Sequence, residues 1–334
     1  MNTIPAEALF LYAENARSKI KDLSSVLKKT PQRLKYTLRQ FEKEYVHNPH
    51  CIFDYSYFGL ILFRVYFKGG YISESDRENI LRQLKENYYI VAIYELSGEF
   101  DLAIEIESPN PSRFNKELKK VATLIPTLNN YKIVLNVVTH IYPRSYLLNN
   151  NQLMINMPPE IVIGGDRSVE NFNENEMRIM KNLLFNPKLR LTSLAKEADL
   201  NVKTATSVMK SLRQRKIIRG FHYLLDTDKM DIYKFRLFLK LHNIGKERET
   251  TFLEFLLRTP EIVEANRTVG DWDVEVDIES LDKTKIRQLI VKVREDFKDL
   301  IENFNIIEFH QYYKKTYLPQ YLFLENTPKY FHST

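Results

Sequence analysis

The sequence predicts an α+β chain of two tandem modules, each a winged helix-turn-helix followed by a βαββαβ domain. Three observations lead there. Ser97–Ser108 (SGEFDLAIEIES) recurs as Val269–Ser280 (VGDWDVEVDIES), which puts Gly98 and Gly270 in equivalent places. The same spacing aligns Phe63-Arg64-Val65 with Phe235-Arg236-Leu237. One residue closer, Leu23-Ser24 answers Leu194-Ala195 and Tyr146-Leu147 answers Tyr317-Leu318. A register kept across four motifs marks a duplication. Copy one spans residues 3–147 and copy two 173–318, with an Asn- and Pro-rich linker at 148–172 and an extension at 319–334.

Within copy one the winged helix-turn-helix is placed at 1–57 and the βαββαβ domain at 58–147; within copy two they are placed at 173–230 and 231–318. Lys21–Lys28 reads as a second helix, and Thr30-Pro31 as a cap with proline at the first helical position. Leu34, Leu38 and Phe41 form the inner stripe of the third helix, leaving Gln32, Arg33, Lys35, Tyr36 and Arg39 outward. Tyr45–Phe53 is the wing. It holds His47, His50 and Cys51, whose crowding suits a polar wing better than a metal site, and no metal or cofactor is expected.

Copy two is clearer. Asn173 and Glu176 make a capping box, and Met177, Met180, Leu183 and Leu184 one apolar face. Asn186-Pro187 ends that helix, and Thr192–Ala198 forms the next. The turn Asp199-Leu200-Asn201 leads into a third helix running to Gln214. Ala205, Val208, Met209 and Leu212 face inward. Asn201, Lys203, Thr204, Thr206, Ser207, Lys210 and Arg213 face out, as in a recognition helix, where short polar groups meet bases and cations meet phosphates. Ile217–Tyr223 alternates as a wing strand.

The period then changes from 3.6 to 2 and back. Copy one reads as strand Leu60–Phe67, helix Glu74–Glu86, strands Ile90–Leu96 and Asp101–Glu107, helix Arg113–Leu124 and strand Lys132–Ile141. Copy two repeats this as Phe235–His242, Glu247–Arg258, Val263–Thr268, Asp273–Ile278, Lys283–Phe297 and Asn303–Tyr312. Val274, Val276 and Ile278 alternate with Glu275, Asp277 and Glu279, the pattern of a strand with one buried face. A ferredoxin-like sheet with both helices on one side leaves the other face needing a partner.

The composition agrees with a folded globular chain: 334 residues, 44% hydrophobic, 28% charged, net charge +6. A pI near 9.0 is compatible with a polyanionic partner. A single cysteine excludes an internal disulfide framework and fits a reducing compartment, so a cytoplasmic location is expected. No apolar run approaches a membrane span, and no phosphate loop, HExxH or GxSxG is present.

The order winged helix-turn-helix, then βαββαβ with Gly-x-aromatic-Asp at the hairpin, resembles the feast/famine (Lrp/AsnC) transcription regulators. The resemblance is best through LTSLAKEADLNVKTATSVMKSLRQRKIIRGFHYLLD and VGDWDVEVDIES, and through SGEFDLAIEIES in copy one. It implies sequence-specific binding to double-stranded DNA, self-association through the βαββαβ (RAM) domains, and no enzymatic activity. It also implies an amino acid or other small effector at Gly98, Phe100, Asp101, Gly270, Trp272 and Asp273. The departure is the fusion, which gives one chain two unequal reading heads. Two alternatives stand beside this reading. One is a DNA-coating architectural protein. The other is the siroheme decarboxylase branch of the same fold, whose chemistry needs His and Arg over a tetrapyrrole carboxylate; Arg267 lies near a hairpin without a neighbouring histidine.

Overall fold

Helix-forming stripes at the start of each copy become short helices, and the alternating segments become strands, in a computed structural model describing residues 5–68, 73–124, 130–148, 151–154, 157–242 and 245–324. Copy one begins with α1 (Ala6–Ala13), α2 (Ile20–Val26) and α3 (Pro31–Glu44). Thr30 caps α3, its hydroxyl accepting from Arg33 N, and Pro31 sits where no intrahelical donor is needed. Then come β1 (Val46–Phe53), β2 (Ile61–Lys68), α4 (Glu74–Glu86), β3 (Ile90–Ser97), β4 (Leu102–Ser108), α5 (Pro111–Leu124) and β5 (Asn130–Ile141).

The stretch expected as linker contains β6 (Ile161–Gly164). Copy two supplies α6 (Glu174–Phe185), α7 (Leu191–Glu197), α8 (Val202–Gln214), β7 (Ile218–Leu225), β8 (Tyr233–Leu241), α9 (Lys246–Arg258), β9 (Ile262–Val269), β10 (Val274–Ser280), α10 (Lys283–Asp296) and β11 (Ile301–Lys315). The capping box on α6 forms as its sequence requires: Glu176 N donates to Asn173 Oδ1 and Asn173 N to Glu176 Oε2, each at 3.0 Å.

Two compact units result, and each draws on both copies. One holds residues 1–49, 137–162 and 221–311; the other holds 50–136, 163–220 and 312–334. The first unit therefore joins α1–α3 to the sheet of copy two, and the second joins α6–α8 to the sheet of copy one.

In the second unit the strand order is β5-β2-β4-β3, with β2 and β4 antiparallel from Ile61↔Ser108 to Phe67↔Leu102. In the first unit it is β11-β8-β10-β9, with Val274↔Leu239 through Ser280↔Tyr233 across β10 and β8. Both are the order of a ferredoxin-like βαββαβ sheet. One face of each carries the helices. Phe63, Val65 and Phe67 of β2 with Leu102, Ile104 and Ile106 of β4 pack on Leu84 of α4 and Phe114, Leu118 and Val121 of α5. Leu237 and Leu239 of β8 with Val274, Val276 and Ile278 of β10 pack on Phe252 of α9 and Ile286 and Val293 of α10. Among the described residues no helix is long and apolar enough to cross a membrane.

The extension after β11 is partly buried as far as it is described. A 3-10 turn at Gln320–Phe323 buries Tyr321 and Phe323, and the Tyr321 ring stacks on Tyr89 at 4.1 Å.

Candidate functional site

The residues expected to read DNA in copy two lie on and just before α8. Asn201 Oδ1 accepts from Thr204 N at 2.8 Å, so the side chain closes the helix start. Ala205, Met209 and Leu212 are buried; Asn201, Lys203, Thr206, Ser207, Lys210 and Arg213 are exposed, and Thr204 is half-buried. On α3, Leu34, Leu38 and Phe41 are buried, while Gln32, Arg33, Lys35, Tyr36 and Arg39 are exposed. The two helices lie in different units.

The Gly-x-aromatic-Asp segments are tight hairpin turns. Gly98 and Gly270 take φ of 124° and 148°, a region costly for residues with a side chain. Phe100 and Trp272 fold their rings onto the sheet, against Tyr66 at 5.2 Å and Phe238 at 5.6 Å. Asp273 accepts from Leu241 N at 2.8 Å and from Lys240 Nζ at 3.0 Å, and its own N–H bonds Leu239 O. Its carboxylate ties the turn to β8.

His47, His50 and Cys51 do not converge. His50 is buried and stacked on Tyr317 at 5.2 Å, Cys51 is buried, and His47 faces Asp226 at 3.9 Å. Among the described residues no group of three or more His, Cys, Asp or Glu is arranged to hold a metal ion.

The sheet face away from the helices holds what the sequence reading missed. Glu275, Asp277 and Glu279 lie on the sheet face that the helices leave uncovered, and they are 0%, 1% and 1% exposed. The alternation correctly separated two faces of β10, but both are buried. Charges survive there because each meets partners. Arg236 grips Asp277 with two bonds, Nε–Oδ1 at 2.6 Å and Nη2–Oδ2 at 2.9 Å. Glu279 accepts from Arg144 Nε at 3.0 Å and Tyr146 Oη at 2.9 Å, with Lys234 Nζ at 3.4 Å. Arg144 also reaches Glu14 of the segment after α1, and His222 lies 3.8 Å from the same carboxylate.

Burial opposes the charge on Glu279, but Arg144, Lys234 and the Tyr146 hydroxyl outweigh it and hold its carboxyl below the usual range. Burial lowers His222 despite Glu14 beside it, so its imidazole is kept neutral. Burial, with Glu279 alongside, raises Tyr146 and keeps its phenol protonated.

The copy-one sheet repeats the arrangement with a difference. Arg64, the counterpart of Arg236, donates Nε to Glu105 Oε1 at 2.9 Å and Nη1 to Asn136 at 3.1 Å. Lys315 Nζ takes Glu105 Oε2 at 3.0 Å. Asn136 in turn donates to the Tyr55 hydroxyl at 3.0 Å. Glu107, the counterpart of Glu279, is 2% exposed, and its Oε2 has no hydrogen-bond partner among the described residues. Burial, then the neighbouring Glu105, push its carboxyl well above the usual range, against Lys315. The two repeat counterparts are thus shifted in opposite directions, Glu279 down and Glu107 up. The repeat of Phe-Arg and of Glu-Ser at fixed spacing was the signal in the sequence; it marks the duplication and also locates the buried ion pairs.

Solved structures place this architecture. A crystal structure of the siroheme decarboxylase NirDL superposes with a TM-score of 0.58 over 94% of this chain and 93% of that one, at 11% identity. The chain shares the fold of that structure. The same enzyme in complex with an iron-uroporphyrin III analogue gives 0.57 over 95% and 94%, at 11% identity. An AsnC family transcriptional regulator from Agrobacterium tumefaciens, 20% identical, covers 46% of this chain and 100% of its own, with a TM-score of 0.40. No family model and no curated protein matches the sequence. The expectation of a chain without enzymatic activity is thereby corrected: two structures that match it nearly from end to end are of an enzyme. The reason it was misjudged is physical. A search for His and Arg beside the hairpins passes over a polar face assembled from strands and segments far apart in sequence.

Proposed function

We propose that the chain is an enzyme acting on a carboxylate-bearing tetrapyrrole, with decarboxylation as the reaction class. The end-to-end likeness to siroheme decarboxylase carries this reading, because it runs through both halves of the chain rather than one module. The chemistry of the sheet faces supports it. Loss of carbon dioxide from a side-chain acetate needs a proton delivered to the carbon left behind. A neutral buried carboxyl is a group that supplies one, and water exclusion favours the charge-dispersed transition state. Arg64 and Arg236 are committed to Glu105 and Asp277, so they act as clamps that rigidify the face rather than as free anion sites.

The test is an anaerobic titration of the purified chain with siroheme and with iron-uroporphyrin III, followed by optical spectra and mass analysis. A shifted tetrapyrrole spectrum at stoichiometric ratio and a product lacking carboxylate groups are expected. An unchanged spectrum throughout the titration refutes the proposal.

A second reading rests on α8. Its exposed Lys203, Thr206, Ser207, Lys210 and Arg213 suit contact with DNA, and it is compatible with an enzyme that also regulates. On that reading the chain self-associates through its sheet domains, and a small effector lies near the Phe100 and Trp272 turns. Retention of specific genomic fragments, lost steeply as salt rises, is the expected result. Binding that is weak and indifferent to sequence counts against it.

A further inference from the structure

The enzyme reading leaves the basic face of α3 without a use. Residues 19–44, which hold α2 and α3, carry eight Lys or Arg against three Asp or Glu, while the whole chain carries 49 against 43. Lys19, Lys21, Arg33, Lys35, Arg39 and Lys43 are all exposed, and among the described residues none of them is ion-paired or laid over a ring. Cations on other helices are held in one of these ways. Arg178 and Arg258 each meet a glutamate one turn away, and Lys292 and Arg294 of α10 lie over Phe255 and Phe304. Lys35, Arg39 and Lys43 follow one another at intervals of four. Like charges at that spacing repel on a helix, so the row is a cost that an anionic ligand relieves.

Tyr36 stands in the middle of this face, three positions from Arg33 and three from Arg39, with 66% of its surface exposed. Its Oη accepts from Gln40 Nε2 at 3.3 Å. A flat ring bounded by planar guanidinium groups matches a flat conjugated macrocycle edged with carboxylates, since ring faces stack while the guanidinium forks take the carboxylates. We propose that α3 is the encounter surface for the polycarboxylate tetrapyrrole, drawing it from solution by charge and holding it against Tyr36 before it reaches the reacting site. The inference rests on the tetrapyrrole reading above. Its effect is on the rate of association, which clustered opposite charge raises and added salt suppresses. The inner stripe of Leu34, Leu38 and Phe41 packs α3, so the outer residues can be replaced without disturbing it.

The experiment mixes the full chain with iron-uroporphyrin III in a stopped-flow instrument across a salt series and follows the tetrapyrrole absorbance. Wild type is compared with Arg33→Gln/Lys35→Gln/Arg39→Gln and with Tyr36→Ser. The control, Lys285→Gln/Arg287→Gln/Lys298→Gln, removes the same charge from exposed positions on α10 and the turn after it. Urea unfolding followed by Trp272, which shares a unit with α3, verifies that each variant is folded. The α3 triple variant is expected to associate about tenfold more slowly at low salt, the difference shrinking below about twofold near 1 M. The control is expected to slow association by less than about threefold. Tyr36→Ser is expected to slow it at every salt concentration, and a wild-type rate there overturns the part given to the ring. Equal slowing by the two triple variants assigns the effect to net charge and overturns the proposal. Wild-type rates in the α3 triple variant overturn it too, and loss of random duplex DNA binding in that variant then marks the surface as one for nucleic acid. A wild type that binds no iron-uroporphyrin III overturns the tetrapyrrole reading and the encounter role with it.

Discussion

Replacing Arg236 by methionine keeps most of the aliphatic stem and removes the guanidinium that holds Asp277 by two bonds at 2.6 and 2.9 Å. Both side chains are buried, at 0% and 1% exposure. Lys234, 3.7 Å from Asp277, remains beside it but is shared with Glu279. Removing one partner of a buried pair costs about 3–5 kcal/mol, because the other charge remains without water. With a urea dependence of about 2 kcal/mol per molar, the unfolding midpoint falls by roughly 1.5–2.5 M.

The chain supplies its own probe. Trp272 is the single tryptophan, and it packs on Phe238 of the same strand as Arg236. Its fluorescence in urea therefore follows this unit. The exposed i,i+4 pair Arg258–Glu254 is the control, and Arg258→Met is expected to change stability by less than about 0.5 kcal/mol. Arg236→Met/Asp277→Leu is expected to recover most of the loss, since it removes the orphaned charge. A loss below about 1 kcal/mol in Arg236→Met, or a double variant no more stable than the single one, refutes the argument that the pair is a clamp.

Three further outcomes follow from the same reasoning. Asn173→Ala breaks the capping box on α6 and is expected to cost about 1 kcal/mol in thermal or urea unfolding. Lys314, which donates to Lys85 O and Asn87 O, is lowered by burial to about 8. The unfolded chain therefore binds the extra proton between that value and the ordinary lysine value of 10.5, so stability rises with pH across the window. Lys314→Met is expected to remove that rise, measured as the difference in urea midpoint from wild type at about pH 7 and about pH 10. On the DNA reading, Lys203→Ala with Arg213→Ala is expected to weaken binding more than Arg33→Ala with Arg39→Ala at one salt concentration. Equal losses contradict unequal reading heads.

Much of the architecture was legible because helices, strands and caps announce themselves locally. The stripe Ala205, Met209 and Leu212 separates the inner side of α8 from its exposed side. The Asn201 cap and the Asn173–Glu176 box need only neighbours three residues apart. Gly98 and Gly270 mark turns because φ there demands glycine. The candidate site was much less legible. Glu275, Asp277 and Glu279 look like the solvated side of a strand, and alternation cannot say whether a second face meets water or other charges.

What the sequence determined by itself is therefore the duplication, the order of elements and the inner stripe of each, all set by short-range periodicity. Tertiary structure alone decided which helix-turn-helix joins which sheet, and that the polar faces are buried. It also decided that the carboxyls of Glu279 and Glu107 are shifted in opposite directions. Arg144 and Glu279 stand 135 positions apart, and a buried charge depends on such distant partners for the stabilisation that water would otherwise supply.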